Sequence, residues 1–181
     1  DPDLTAFEHI IFSSVKDALK NQEADAADPR TGFILSSTKG NIRLIENERM
    51  DQDLEHRVGL STSAKYIAAK LGIVSEPVVV SHACISGLLA MITGMRLIQS
   101  ALYDQVIVTG ADLISAFIFS GFQSFQAISS GPCRPFDAAR DGITLGEAAA
   151  TVILSSRKTD GARRLSGGSV SNDANHISGP S

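Results

Sequence analysis

The sequence predicts an α/β fold in which a mostly parallel mixed sheet is covered by helices on both faces. Short apolar, β-branched stretches such as Val78–Val80 and Gln105–Thr109 alternate with segments whose apolar residues recur at helical spacing. Strands that alternate with helices favour parallel pairing, because a parallel strand needs a long crossover connection. A sheet covered on both faces also explains why these strands lack alternating polar residues.

Helices are expected where apolar residues recur every three or four positions. In chain order these are 4–19 with Asp3 as N-cap, the charged stretch 44–50, 61–71 closed by Gly72, 85–102, and the phenylalanine-rich 116–127. Within 85–102, three small residues share one face and predict close packing against a neighbour: Gly87, Ala90 and Gly94.

Strands are expected at short apolar runs bounded by glycine, proline or polar residues. These runs are 32–36, 78–80, 105–109, 143–145, 149–154 and 165–171. No linker, repeat or low-complexity segment divides the chain, so residues 1–181 are expected to form a single domain.

Composition excludes several classes of function. The net charge of -4 argues against a general nucleic-acid binder. No run of about 20 apolar residues is present, so no membrane span is expected. Two cysteines are too few for a disulfide framework, and the polar start Asp1–Asp3 does not resemble a signal peptide. A cytoplasmic protein with free thiols is therefore expected.

Cys84 lies where an apolar strand ends and a long apolar helix begins. Unpaired N–H groups and the helix dipole favour a thiolate at such a position. Cysteines placed in this way titrate at roughly 3.5–7.5 instead of about 8.5. A single cysteine in an apolar segment is also often an inert core residue, so position alone leaves both interpretations open.

A second segment, Gly131–Glu147, alternates charged residues with glycine and proline between two apolar regions. The pattern predicts an ordered loop that leads into a strand. Structural ion pairs are expected among its charged residues, Arg134, Asp137, Arg140 and Asp141. Glu147 is a further candidate, as a buried carboxylate near a site.

Together the two segments resemble the β-ketoacyl-acyl-carrier-protein synthases, the elongating ketosynthases of the thiolase-like superfamily. The shared motifs are Ala-Cys-x-Ser-Gly at 83–87 and Arg-Pro-Phe-Asp-x-x-Arg-Asp-Gly-x-x-Leu-Gly-Glu at 134–147. Shorter pieces at 36–40, 106–112 and 171–177 agree, so the resemblance covers nearly the whole chain. It implies a thiolase-like fold, of which this chain is the N-terminal half of a layered αβαβα architecture.

The resemblance also implies a reaction. Such enzymes take an acyl group from a carrier protein onto a cysteine, and the carbanion formed from a malonyl-carrier protein then attacks that thioester. Cys84 matches the nucleophile, and its backbone N–H matches an oxyanion donor. No cofactor or metal is expected.

The chain departs from the family pattern in its histidines. The family uses two catalytic histidines from the second half of its fold, and none of the four histidines here lies in those motifs. We therefore expect a domain truncated at both ends, without its C-terminal half and inactive in condensation by itself.

Four residues are expected to border the substrate pocket: Phe122, Lys39, His82 and His176. Phe122 is the candidate wall of the acyl pocket, with core packing as its alternative. Lys39 is costly to bury unpaired, so it either faces solvent or makes the acyl tunnel short or polar. His82 is either a satisfied core histidine or a modifier of the thiolate, and His176 is structural or lines the pocket.

The expected partners are an acyl-carrier protein, acyl and malonyl thioesters, and a second copy of the full-length protein; neither nucleic acid nor a membrane is expected. Fatty-acid elongation and polyketide or aryl-polyene synthesis are both compatible. One alternative is a non-catalytic partner subunit that sets chain length, although such partners typically lack the cysteine. Another is a related enzyme of the superfamily that uses coenzyme A thioesters.

Overall fold

The computed structural model describes residues 2–20, 24–46, 49 and 51–171, and helices alternate with strands along it. Its elements, in chain order, are α1 Ala6–Leu19, β1 Thr31–Ser36, a 3-10 helix Ile42–Glu46, α2 Gln52–Val58, α3 Leu60–Leu71, β2 Val78–Val80, α4 Ser86–Gln99, β3 Gln105–Asp112, α5 Ala116–Ser124 and β4 Ala148–Ser155. None of the helices in these described ranges is long and apolar enough to cross a bilayer.

The four strands form one mixed sheet in the order β2-β1-β3-β4. β1 is parallel to both β2 and β3, with Ile34 opposite Val78 on one side and Val108 on the other. β4 is antiparallel to β3 and pairs with it along its whole length. The expected mostly parallel mixed sheet is therefore confirmed.

Helices cover both faces of this sheet, as the sequence predicts. Phe33 and Leu35 of β1 point to the face covered by α1 and α3, whereas Ile34 points to the face covered by α4. Every residue of β1 is buried, which accounts for its unbroken apolar character. Fully burying one such side chain contributes about 1.5–3 kcal/mol to stability. Because the side chains of β1 enter the clusters on both faces, β1 is the centre of both cores.

α4 lies close to the sheet because two small residues face it. Ala90 and Gly94 are buried, and a Cβ at Gly94 would lie 2.9 Å from Leu154 Cδ1 and 3.2 Å from Val108 Cγ2. Gly87 was expected on the same packed face, but it is exposed and a Cβ there would meet nothing within 4 Å. The close approach therefore involves the middle of α4 and not its first turn.

A buried polar cluster, defined as Thr5, Glu8, Asn41, Arg57 and Ser63, ties α1 to α2, α3 and the loop after β1. Glu8 is 0% exposed and accepts both guanidinium N–H groups of Arg57 and the amide of Asn41. Asn41 also donates to Ser63 Oγ at 3.0 Å. Burial raises the pKa of Glu8, but the hydrogen bonds from Arg57 and Thr5 outweigh it and leave that pKa below its ordinary value.

Two expectations near the N-terminus are corrected. The N-cap of α1 is Thr5 and not Asp3, because Thr5 forms a reciprocal capping box with Glu8. Of the charged stretch 44–50, expected to be helical, residues 44–46 belong to the short 3-10 helix that ends at Glu46, and residues 47, 48 and 50 lie outside the described ranges; α2 follows with Asp51 as its N-cap. Asp51 with two acidic residues in the next turn was the signal that could have located α2.

The strands expected at 143–145 and 165–171 are also wrong. Ile143 forms only an isolated bridge to Ile128. Gly142 and Gly146 flank the run 143–145, and glycines weaken a strand. Residues 165–171 are exposed and unpaired, and their central Gly167 and Gly168 weaken any strand. The helix expected at 116–127 ends at Ser124.

Replacing Gly94 with leucine should destabilise the fold. The new side chain has no space between α4 and the side chains of Leu154 and Val108. We expect the free energy of unfolding to fall by about 1–3 kcal/mol, measured by chemical denaturation. Gly87→Ala on the same helix is the control and should cause no loss; equal losses in both variants would contradict the proposed packing.

Replacing Glu8 with glutamine should make stability less dependent on pH. The pKa of Glu8 is below its ordinary value of 4.5 in the folded protein, so its contribution is present above that value and is lost as pH falls through the folded pKa. At neutral pH we expect Glu8→Gln to lower the free energy of unfolding by roughly 2 kcal/mol.

Denaturation at pH 7 and below pH 4 should show the difference between wild type and Glu8→Gln shrinking in acid. The control is Asp17→Asn, which breaks an exposed ion pair with Lys20 on the same helix and should cost at most about 1 kcal/mol. A gap between wild type and Glu8→Gln that stays constant with pH would show that Glu8 is not ionised in the cluster.

Candidate active site

A tight turn between β2 and α4 presents Cys84 to solvent. β2 ends at Val80 and α4 begins at Ser86, so the cysteine follows a strand and precedes a helix, as the sequence predicts. Its thiol is free and exposed, whereas the flanking Val80 and Ser86 are buried. The Cys84 side chain is therefore not part of the core that the described residues form.

The backbone just before the cysteine has an uncommon conformation. Ala83 has a φ of 45°, in the left-handed region that residues with a Cβ seldom adopt. Such a residue costs of order 1–3 kcal/mol and persists only when its surroundings hold it in place. In this turn, hydrogen bonds supply that restraint.

Ser86 holds the turn through its backbone and its hydroxyl. The Ile85 N–H donates to His82 O and the Ser86 N–H donates to Ala83 O, each at 3.2 Å. Ser86 Oγ accepts from the His82 N–H and donates to Ala83 O, each at 2.7 Å. Sequence reasoning used Ser86 only as part of a motif, although a serine two residues after the cysteine is well placed to bond back to the turn.

The loops beside this turn are tied to the same edge of the sheet. Ser37, which follows β1, donates its hydroxyl to Asp112 at 3.0 Å and accepts the Gly40 N–H at 3.1 Å. Glu147, which precedes β4, accepts the Ile114 N–H at 2.9 Å. These bonds fix loops at the carboxyl ends of β1 and β3, the edge at which ligands bind in many parallel sheets.

Two of the expected pocket residues lie on or near α5. Lys39 is half-buried, with its Nζ 5.4 Å from the centre of the Phe117 ring, so a cation–π contact takes the place of a buried ion pair. Phe122 is half-buried on α5, while Phe117 and Phe125 are 54% and 65% exposed. Of the described helices and strands, only the 3-10 helix lies beside α5.

Of the two histidines expected to border the pocket, the structure describes only His82. His82 is exposed and contributes its backbone N–H to the Ser86 hydroxyl, so it is not a core histidine. His176 lies outside the described residues. An apolar cavity of about 200 Å³ lies elsewhere, lined by Thr5, Ala6, Phe7, Gly40, Asn41, Arg43, Leu44 and Leu113, and it includes none of the expected site residues.

The loop from 131 to 147 is ordered, but its ion pairing is limited. Arg134 lies 3.9 Å from Asp141. The Asp137 carboxylate accepts the Ala139 N–H, and the Arg140 side chain donates to the Asp137 backbone carbonyl and not to its carboxylate. Hydroxyl hydrogen bonds from Ser130 and Ser129 hold the pKa of Asp141 far below its ordinary value. Glu147 is 42% exposed and 3.8 Å from Arg43, so the hypothesis that it is a buried carboxylate is wrong.

The second thiol also has an altered environment. Cys133 is half-buried in this loop. Hydrogen bonds from Thr144, of which the one from its backbone has the largest effect, hold the pKa of the Cys133 thiol below its ordinary value. A label introduced by a cysteine reagent must therefore be assigned to Cys84 or Cys133 by peptide mass spectrometry. Across the described part of the chain, no three His, Cys, Asp or Glu side chains come together as metal ligands.

The mixed sheet, the crossover helices on both faces and the cysteine on a strand-to-helix turn define an α/β domain of the ketosynthase type. Residues 3–160 match the family model described as "Beta-ketoacyl synthase, N-terminal domain". The chain therefore belongs to the β-ketoacyl synthase family of condensing enzymes.

Similar curated proteins are named as a polyketide β-ketoacyl synthase and as a 3-oxoacyl-acyl-carrier-protein synthase. "Putative polyketide beta-ketoacyl synthase 1" of Streptomyces cyaneus is 30% identical over 67% of this chain and 31% of its own length. "3-oxoacyl-[acyl-carrier-protein] synthase 2" of Mycobacterium leprae is 32% identical over 62% of this chain and 29% of its own length. The chain thus spans about a third of the length of these relatives.

Solved structures show the same fold. A β-ketoacyl synthase from Burkholderia phymatum STM815 superposes with a TM-score of 0.70 at 23% identity, covering 83% of this chain and 42% of that one. The ketosynthase ApeO, solved in complex with its chain length factor ApeC from Xenorhabdus doucetiae, gives 0.64 at 29% identity, over 82% and 40%. The expected thiolase-like N-terminal half is confirmed at the level of fold.

Replacing Ala83 with valine should destabilise the turn, because a β-branched side chain is strongly disfavoured at positive φ. We expect the free energy of unfolding to fall by about 1–3 kcal/mol, and Ala83→Gly to cause no loss. Ala69→Val, on an exposed position of α3, is the control for the intrinsic cost of valine in a helix, about 0.7 kcal/mol or less. Equal losses for the two valine variants would show that Ala83 is unstrained.

Proposed function

We propose that the protein is a 3-oxoacyl-acyl-carrier-protein synthase in which Cys84 is the acyl-accepting nucleophile. The observation that carries the proposal is the exposed thiol on a restrained strand-to-helix turn, within a chain of the β-ketoacyl synthase family. In the full-length protein the reaction is a decarboxylative Claisen condensation of the Cys84-bound acyl group with malonyl-acyl-carrier protein. The pathway is fatty-acid or polyketide synthesis, including aryl-polyene synthesis.

The residues present suit the first half of this reaction. The Cys84 thiolate attacks the thioester carbonyl carbon. The carrier's sulfur then leaves as a thiolate and takes up the proton that the Cys84 thiol released. Sulfur is also a good leaving group, so the acyl group on Cys84 stays activated for the second step. The Cys84 N–H is our candidate oxyanion donor.

The second half of the reaction needs groups beyond those described. The family's two catalytic histidines have no counterpart among the histidines of this sequence. Since the match is to an N-terminal domain and spans about a third of the relatives' length, we assign those histidines to a C-terminal half of the full-length protein. By this proposal residues 1–181 alone do not catalyse condensation.

We place the acyl pocket between the cysteine turn and the loop and helix that carry Lys39 and Phe122, with His82 and His176 as further lining residues. The contact of Lys39 with Phe117 supports a short or polar pocket, because it places the charged Lys39 ammonium group beside the Phe117 ring of α5. We propose that the natural donors are acyl- and malonyl-acyl-carrier proteins and that the full-length protein is a cytoplasmic homodimer.

A second candidate function is a partner subunit that sets chain length without catalysing condensation. It is favoured by one observation: two solved structures with this fold are named as ketosynthase and chain length factor pairs. The exposed Cys84 favours the catalytic subunit, because a partner that takes up no acyl group has no use for an accessible thiol at this turn.

Intact-mass measurement after incubation with an acyl-acyl-carrier protein separates the two functions. We expect one acyl adduct on the full-length protein, present in Cys133→Ala and absent from Cys84→Ala. An adduct that persists without Cys84, or no adduct on a folded wild type, would contradict the catalytic assignment and favour the partner subunit.

A further inference from the structure

The Ser86 hydroxyl makes two bonds that bracket the residue before the nucleophile. It accepts from the His82 N–H and donates to Ala83 O, and Ser86 itself is only 5% exposed. The N-cap of α4 is Ile85, whose side chain makes no capping bond. The hydroxyl of the first helical residue thus reaches back into the turn and bonds to backbone groups that precede the helix.

These bonds fix the direction of one peptide group. Ala83 C=O and Cys84 N–H belong to the same peptide, which is planar and trans, so the two groups point in opposite directions. Ser86 holds Ala83 O from one side through its N–H at 3.2 Å and its hydroxyl at 2.7 Å. The Cys84 N–H is therefore directed to the other side, away from the start of α4.

We propose that Ser86 is a positioning residue, which aims the Cys84 N–H at the oxygen of the acyl group that the cysteine accepts. This inference rests on the proposed function of Cys84. In the acylation step the Cys84 sulfur forms a bond to the thioester carbonyl carbon, and the carbonyl π electrons move to oxygen. The Cys84 N–H stabilises that oxyanion until the C=O reforms, the carrier's C–S bond breaks, and the leaving thiolate takes up the proton.

The positive φ of Ala83 explains why a positioning group is needed. At 45° this alanine is in a conformation that it does not hold by itself, and another φ would rotate the peptide that carries the Cys84 N–H. Ser86 does not touch the reacting atoms. Its loss should misalign the oxyanion donor and leave the thiol exposed and chemically competent.

Two reactions of the same thiol test this role in the full-length protein. Acylation by an acyl-acyl-carrier protein forms an oxyanion, whereas alkylation by iodoacetamide is a direct displacement at a saturated carbon and forms none. Both rates are followed at Cys84 by peptide mass spectrometry, which separates it from Cys133. The variants are Ser86→Ala, Ser86→Thr, and Ser100→Ala as matched control, since Ser100 makes the same bond to a carbonyl three residues back at the other end of α4.

We expect Ser86→Ala to slow acylation about ten- to a hundredfold, with alkylation changed less than twofold, because an oxyanion donor is worth about 10²–10³ in rate when it is lost outright. Ser86→Thr keeps the hydroxyl and should restore acylation, and Ser100→Ala should match wild type in both reactions. Acylation of Ser86→Ala at the wild-type rate, equal changes in both of its reactions, or no rescue by threonine would overturn the positioning role. A wild type that is alkylated but never acylated would instead overturn the proposed function, and this role with it.

Discussion

The close approach of α4 to the sheet is the constraint on which the rest of this structure depends. Gly94 lies against side chains of β3 and β4, where a Cβ would come within 2.9 Å of Leu154 Cδ1, and Ala90 packs in the same cluster as Ile34 of β1. β2 is parallel to β1 and leads directly into this helix. The chain must therefore turn within residues 81–85, and residues 81–84 of that turn, Cys84 included, are exposed.

The turn gains its shape from hydrogen bonds and not from favourable residue types. A glycine at position 83 would adopt the left-handed conformation freely, whereas alanine needs the restraint that Ser86 provides. The first residue of α4 accordingly fixes the peptide that leads to Cys84. On the other face of the sheet, the buried polar cluster joins α1, α2, α3 and the loop that carries Lys39. The position of that loop therefore depends on the ion pair between Glu8 and Arg57.

Much of the fold could be predicted from the sequence, and the failures have physical causes. Strands β1, β2 and β3 were predicted because burial on both faces leaves short apolar runs, and helices α1, α3 and α4 because burial of one face leaves apolar residues at helical spacing. α2 was missed because it is short and buries only Leu54, so capping residues were its main signal. The strand expected at 165–171 failed because its central Gly167 and Gly168 weaken a strand and its residues are unpaired and exposed.

The sequence by itself determined the fold class, the family and the location of the cysteine between a strand and a helix, since each of these depends on residue types at short spacing. Only the tertiary structure decided that Cys84 is exposed, that Ala83 has a positive φ, and that Lys39 lies over Phe117 while Glu147 binds a backbone N–H. Those features depend on the backbone angles of the turn and on which loops the fold places side by side, and neither follows from residue types at short spacing.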